Sequence, residues 1–381
     1  MTSPTSQLRY PPVSARKIAV LRANAIGDFV HALAALDALR AAYPQAEITL
    51  LGQSWHKRFL EGRPGPVDRV VVVPPYKGVN ESDPKPEAPP SSYSSSEIED
   101  FFDAMARERF DIAIQMHGGG KHSNPFVRRL GARLTVGLKT PDATPLDRWV
   151  PYIYFQPEIL RYLEVVSLVG ARPAAIEPGL AVTAADLAEA RAVVPEGDRP
   201  LAALHPGAGH PTRRWPTDRF AAVGDALAAA GAKVVVTGGR EDERALVDAV
   251  VDLMQTPAQN MWGQISLGGL AGLLSRCRVV VTGDSGPLHL ASAVGASTVG
   301  IYWCGNLITA GLPTRARHRP AISWTLNCPI CGSHVIHAPC GHSATLVGDV
   351  SIEEVVASAL ELFQSAGECS SSALDISNQG T

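Results

Sequence analysis

Cysteine is scarce, six residues in 381. A chain this long with so few thiols is not a disulfide scaffold, and a reducing cytoplasm is the expected compartment. Charge of one sign is also lacking. Lys and Arg number 34 against 37 Asp and Glu, a net of −3, so there is no global electrostatic case for a nucleic-acid binder. No apolar run approaches the ~18–20 residues that span a bilayer. Residues Met1 to Pro12 are polar and proline-containing, without the apolar core of a secretory signal. The dinucleotide fingerprint Gly-x-Gly-x-x-Gly and the Walker spacing are both missing, which disfavours a Rossmann dehydrogenase. What remains is an ordinary globular composition, 45% hydrophobic and 19% charged. At ~150 residues per domain the chain has room for two cores.

Short β-branched runs alternate with alanine- and leucine-rich helical stretches, the pattern of βα units around parallel sheets. Strands are expected at Lys17–Leu21, Glu47–Leu51, Val67–Val73, Asp111–Met116 and Leu134–Leu138, with a helix over Asp28–Ala42. A second series follows: strands at Leu201–Leu204, Lys233–Thr237, Arg278–Thr282 and Ser297–Trp303. Its helices are expected over Thr217–Ala230, Glu241–Met254, Leu267–Ser275 and Ser285–Val294. The expected organisation is a flexible arm (1–15), a first Rossmann-like domain (16–172), a second (173–350), a helix (351–365) and a disordered tail (366–381). Residues 74–96, with six prolines and a serine cluster, read as a mobile surface insertion. Two such halves are expected to face a ligand cleft.

Three strand-to-helix turns carry chemistry. In Asn24-Ala25-Ile26-Gly27-Asp28-Phe29-Val30-His31, Gly27 would allow a tight or left-handed turn, and Asp28 stands near a helix N-terminus. A carboxylate there suits a general base and equally suits a plain helix cap. His31, one turn on, would meet an anionic ligand or serve the packing. The second turn, His205-Pro206-Gly207-Ala208-Gly209 followed by Arg213-Arg214-Trp215-Pro216, combines free amides with guanidinium groups, a natural phosphate cradle. The third is Gly283-Asp284-Ser285-Gly286-Pro287-Leu288-His289. Together with the acids Glu241-Asp242-Glu243, the second and third turns suggest a nucleoside diphosphate whose ribose meets a carboxylate.

Two further features leave alternatives open. Cys328-Pro329-Ile330-Cys331, with Cys340, His342, His334 and His337 nearby, offers zinc-ligand types. The later spacing fits no common zinc module, so packed or reduced thiols are favoured and no metal is expected. Residues 107–161 hold nine Lys or Arg and five Asp or Glu, a local +4 in a chain whose remainder carries −7. That basic stretch, with Lys121, Arg128, Arg129 and Arg133, suits an anionic substrate, a membrane surface or mere solvation.

These turns resemble those of the bacterial heptosyltransferases of lipopolysaccharide core assembly, glycosyltransferase family nine, from about Lys17 to Phe363. The resemblance rests on Gly27-Asp28-x-x-His31, on His205-Pro206-Gly207 to Arg213-x-Trp215-Pro216, and on Asp284-x-Gly286-Pro287-x-His289. It implies an α/β GT-B fold, two Rossmann-like doubly wound parallel-sheet domains, and an inverting, metal-independent transfer without cofactor. The donor implied is a nucleotide sugar, typically ADP-heptose, and the acceptor a lipopolysaccharide core or other envelope glycan. Asp28 matches the family's catalytic base; Gly27, His31, His117 and Lys121 fall on the acceptor side. Arg213, Asp242, Asp284, Ser285, Gly286, Pro287, Leu288 and His289 fall on the donor side. Arg213 stands where the family usually has lysine, and Gln264 where lysine is frequent. A cytoplasmic enzyme, with peripheral contact at the inner membrane, is the expectation; a nucleotide-sugar epimerase or an inactive nucleotide-sugar-binding relative are its alternatives.

Overall fold

The computed structural model describes residues 10–80, 95–336 and 340–377. Residues 1–9 of the expected arm, 81–94 of the insertion, His337, and 378–381 of the tail lie outside the described residues. The chain divides into two compact units, Met1–Pro178 and Gly179–Thr381.

In the first unit the chain runs β1 (Lys17–Leu21), α1 (Ile26–Ala42), β2 (Glu47–Gly52), α2 (Ser54–Leu60), β3 (Arg69–Val72) and α3 (Ser95–Glu108). It continues through β4 (Ile112–Gln115), α4 (Ser123–Arg129), β5 (Leu134–Lys139), β6 (Arg148–Pro151) and α5 (Glu158–Ser167). The strands form one sheet in the order β3-β2-β1-β4-β5-β6, every pair parallel. β1 is central and covered on both faces, which is why Ile18-Ala19-Val20-Leu21 is a continuous apolar run rather than an alternating one. β6 pairs only with β5 and is half exposed, so its sequence carries little strand signal. The expected insertion is not loose at its start. Tyr76 bridges to Asn80, its ring meets Phe102 and Phe126, and Val79 is buried.

The second unit follows with α6 (Ala184–Val193), β7 (Leu201–His205), α7 (Thr217–Ala229), β8 (Lys233–Val236), α8 (Arg244–Leu253) and β9 (Gln259–Asn260). Next come α9 (Leu267–Ser275), β10 (Cys277–Gly283), α10 (Gly286–Ala293), β11 (Ser297–Trp303), α11 (Cys304–Ala310), β12 (His318–Ser323) and α12 (Ile352–Ser377). Its sheet order is β12-β11-β10-β7-β8-β9, again all parallel. Pro320 is tolerated in β12 because that strand is an edge. Pro216 caps α7, so Thr217 is its first residue rather than its cap; Gly231, at φ +95°, ends the helix as expected. The acids 241–243 form a separate 3₁₀ turn before α8. α12 closes the core through Val355, Ala359, Leu362 and Phe363, and its backbone runs past the expected boundary at 365.

Both sheets have the 3-2-1-4-5-6 order of a doubly wound domain. In such sheets ligands bind at the carboxyl ends of the strands where the order reverses. Those points lie between β1 and β4 in the first unit, and between β7 and β10 in the second.

Candidate functional site

Asp28 sits in the first turn of α1, directly beyond the carboxyl end of β1. Gly27 lies within that helix and has no positive φ, so the left-handed turn expected of it does not occur. The helical start at Ile26 replaces it. Asp28 Oδ2 accepts from Ala25 N–H at 3.3 Å, the capping contact, while Oδ1 accepts from Arg22 Nη2 at 2.9 Å. The carboxylate is 34% exposed and the guanidinium only 2%. Capping thus uses one oxygen and the Arg22 pair the other, while a third of the side chain stays exposed.

Arg22 is the residue that sequence reasoning missed. Its Nε donates to Asp28 O, its Nη1 to Met116 O, and its Nη2 also reaches Glu158 Oε2 at 3.1 Å. Glu158, at the start of α5, gathers His31 Nδ1 (3.2 Å), Tyr162 Oη (3.1 Å) and Arg161 Nη1 (3.4 Å) as well. Burial alone would push its carboxyl up, but the His31 bond and the Arg22 charge hold it near 2. Net, the Arg22–Glu158 pair is a charged mount under the open Asp28. Only one signal marked it: an arginine directly after the apolar run Ile18–Leu21.

The expected acceptor-side residues divide. His31 is buried on Glu158. His117, at the carboxyl end of β4, is buried with Nδ1 accepting from Ala23 N–H at 3.3 Å, which ties the two switch-point loops together. Burial, then the Arg22 charge, lower its pKa to about 3, so the imidazole is neutral. Gln115 braces the same loop by donating to His117 O, Gly118 O and Ser123 Oγ. Lys121 is an exposed surface cation paired with Asp142 at 3.1 Å. Arg128 donates to Pro145 O, Arg129 pairs with Glu99 and Arg133 with Asp111, so each of these guanidinium groups has a local structural partner.

In the second unit the structure joins the two expected phosphate turns. Arg213 Nη1 donates to Asp284 Oδ2 at 2.8 Å, and His289 Nε2 lies 3.4 Å from Asp284 Oδ1. Burial would raise the Asp284 carboxyl, but the His289 bond and the Arg213 charge keep it below its usual range. The chains approach closely here: a Cβ on Gly283 would lie 2.9 Å from Arg213 O. Ser285 is the extended N-cap of α10 and turns its hydroxyl to Thr282 Oγ1 at 3.0 Å, making no side-chain cap. The Gly286 and Leu288 N–H groups therefore open the helix without a side-chain acceptor from Ser285, and Pro287 has no donor to satisfy. A half-exposed guanidinium beside a helix N-terminus is an anion cradle.

Asp242 does not join that cradle directly; its carboxylate is engaged by Arg214 and by Arg240 Nε (2.9 Å). Glu243 is buried and accepts from Gly239 N–H and Arg240 N–H. It also fills the space above Gly207, where a Cβ would meet it at 2.4 Å. Gln264 donates to Asn260 O.

A family model described as glycosyltransferase family 9 (heptosyltransferase) matches residues 98–341. The lipopolysaccharide heptosyltransferase 2 of Escherichia coli strain K12 is 26% identical over 314 residues, 75% of this chain and 82% of that protein. The lipooligosaccharide heptosyltransferase 2 of Haemophilus influenzae is 23% identical over 328 residues, 80% of this chain and 86% of that one. Among solved structures, the glycosyl transferase family 9 protein from Veillonella parvula DSM 2008 superposes with a TM-score of 0.75 at 22% identity, covering 93% of this chain and 99% of that chain. The E. coli ADP-heptose lps heptosyltransferase II gives a TM-score of 0.67 at 18% identity, covering 92% and 99%. At such identities the two structures show a shared fold.

Proposed function

The chain belongs to glycosyltransferase family 9 (heptosyltransferase), and from that premise we propose that it transfers heptose, with inversion, from ADP-heptose to a lipopolysaccharide-core acceptor. Its two Rossmann-like units are the parts of a GT-B enzyme. The donor is suggested by the E. coli structure described as an ADP-heptose lps heptosyltransferase. The acceptor class is suggested by the lipopolysaccharide and lipooligosaccharide heptosyltransferases the chain resembles.

One observation carries the reading: Asp28 is an open carboxylate on a buried charged mount at a switch point. In the proposed step Asp28 takes the acceptor hydroxyl proton while that oxygen bonds to the anomeric carbon. The bond from that carbon to the diphosphate oxygen breaks on the opposite face, and ADP leaves as an anion. Arg213 and the α10 amides, held by Asp284, meet the leaving diphosphate without a metal. Asp28, Gly27, His31, His117 and Lys121 belong to the acceptor side in this scheme, with His31 and His117 supporting the loops. Asp242 contributes by fixing Arg214 beside Arg213.

No helix among the described residues is long and apolar enough to cross a membrane. A peripheral position at the inner face of the inner membrane is supported by exposed Trp149, Ile153, Tyr154 and Phe155 in the first unit. The test of function is ADP release from ADP-heptose with and without lipopolysaccharide core. Acceptor-dependent release with a heptosylated product is expected. Consumption of the donor sugar without acceptor, or none at all with it, would overturn the reading.

A further inference from the structure

Between Ser323, the last residue of β12, and Leu346 the chain leaves the core. Among the described residues of 324–345, Cys328 alone is buried, while Trp324, Leu326 and Ile330 are exposed. Apolar burial therefore does little to hold this excursion together. Its shape is nevertheless specific. Val335 N–H donates to Leu326 O, Cys328 N–H to Ser333 O, and Gly332 N–H back to Cys328 O, with Asn327 bridged to His334. The resulting hairpin presents Cys328 and Cys331 from one tight turn, closed by Gly332 at φ +73°. A second turn, with Gly341 at φ +83°, presents Cys340 and His342.

The two turns converge. One ligand atom from each of Cys328, Cys331, Cys340 and His342 lies within 4.8 Å of the others. His342 Nδ1 is 3.7 Å from Cys328 Sγ and 3.5 Å from Cys340 Sγ. A tetrahedral ion with metal–sulfur bonds of ~2.3 Å and metal–nitrogen bonds of ~2.0–2.1 Å would set sulfur and nitrogen about 3.6 Å apart. The observed spacings match that figure on both edges. All of these thiols are free, and an odd number of them is poorly suited to disulfides.

We propose that Cys328, Cys331, Cys340 and His342 bind one divalent zinc ion in a closed, structural Cys₃His site. Thiolates and an imidazole in tetrahedral array are the donor set that zinc takes, and four protein ligands leave no open position for catalysis. The excursion's return segment explains what the ion supports. Leu346 N–H donates to Thr212 O at 2.8 Å and Thr345 Oγ1 to Arg214 O at 2.7 Å, so the segment brackets Arg213 from both sides. Ser323 Oγ donates to Leu346 O and closes the base. Zinc would thus hold the segment that steadies the Arg213 loop. This last consequence rests on the donor reading above; the metal site itself does not.

The test is elemental analysis of the full chain purified without chelator, with a melting curve before and after chelation. One zinc per chain is expected, with a melting temperature that falls on its removal and recovers on adding zinc. Cys331→Ser and Cys340→Ser remove ligands that are not buried, so each should fold and yet lose the ion. Cobalt in place of zinc should give the visible absorption of a tetrahedral thiolate site. Metal-free protein whose melting ignores added zinc, or a disulfide among these cysteines, would overturn the site. Stoichiometric zinc with ADP affinity unchanged by its removal would overturn only the link to Arg213.

Discussion

Arg22 Nη2 stands 2.9 Å from Asp28 Oδ1 and 3.1 Å from Glu158 Oε2, so one buried guanidinium joins an open carboxylate to a sequestered one on another helix. Breaking such a buried pair from one side leaves an uncompensated charge and costs about 3–5 kcal/mol. Arg22→Met should lower stability by that order, read from the denaturant midpoint of the full chain. A midpoint unmoved by Arg22→Met would contradict the mount.

The donor cradle makes a graded prediction. Losing a charge-assisted contact to phosphate costs roughly 1.5–3 kcal/mol, about 10- to 150-fold in affinity. Arg213→Ala should weaken ADP binding by that order, and Arg213→Lys should restore much of it. Asp284→Asn should also weaken ADP binding, since Asp284 fixes the guanidinium it pairs with. Calorimetry with ADP reads all three; unchanged affinity in Arg213→Ala would move the phosphate site elsewhere.

Acid should destabilise the first unit in a defined window. Burial, then the Arg22 charge, lower both His56 and His117 from 6.5 to about 3. The unfolded chain therefore binds more protons as pH falls through about 6.5, and stability present above that pH is lost on acidification. Each imidazole contributes a loss of up to about 2–3 kcal/mol by pH ~4.5. Below that, protonation of unfolded Glu158, whose folded carboxyl sits near 2, adds to the loss. Urea unfolding at pH ~7.5 and ~5 should show the fall, and His56→Asn with His117→Asn should reduce it, the remainder coming from His205 and His318, whose pKa burial also lowers. A wild-type stability equal at both values would contradict the buried neutral imidazoles.

The legible parts of the fold were those where one local signal decides the structure. Lys17–Leu21 and Ser297–Trp303 are buried through their middles because both lie inside their sheets, and they appear at the expected bounds. The Arg213 and Asp284 turns pair on chemistry alone, both offering donors to one anion, and the hydrogen-bond contact between them follows that pairing: Arg213 Nη1 meets Asp284 Oδ2. The remainder depends on tertiary context. β6 is a half-exposed edge, and β12 carries a proline that only an edge allows. Glu158 is 136 residues from Arg22, so no spacing links them. The four metal-type ligands fit no module by sequence because a hairpin and a separate turn bring them together. Gly27 misled because a glycine before an acid signals a turn, whereas here the helix has already begun.

The central claim is that Asp28 is the base, and its substitution by asparagine tests it most directly. Asparagine keeps the shape and an acceptor oxygen for the Ala25 N–H, but cannot take a proton at neutral pH. Asp28→Asn should bind ADP with wild-type affinity by calorimetry while acceptor-dependent turnover falls by ~10²–10⁴, the range for losing general base catalysis. Near-normal turnover in that variant, with ADP binding intact, would contradict the account and leave Asp28 as a helix cap.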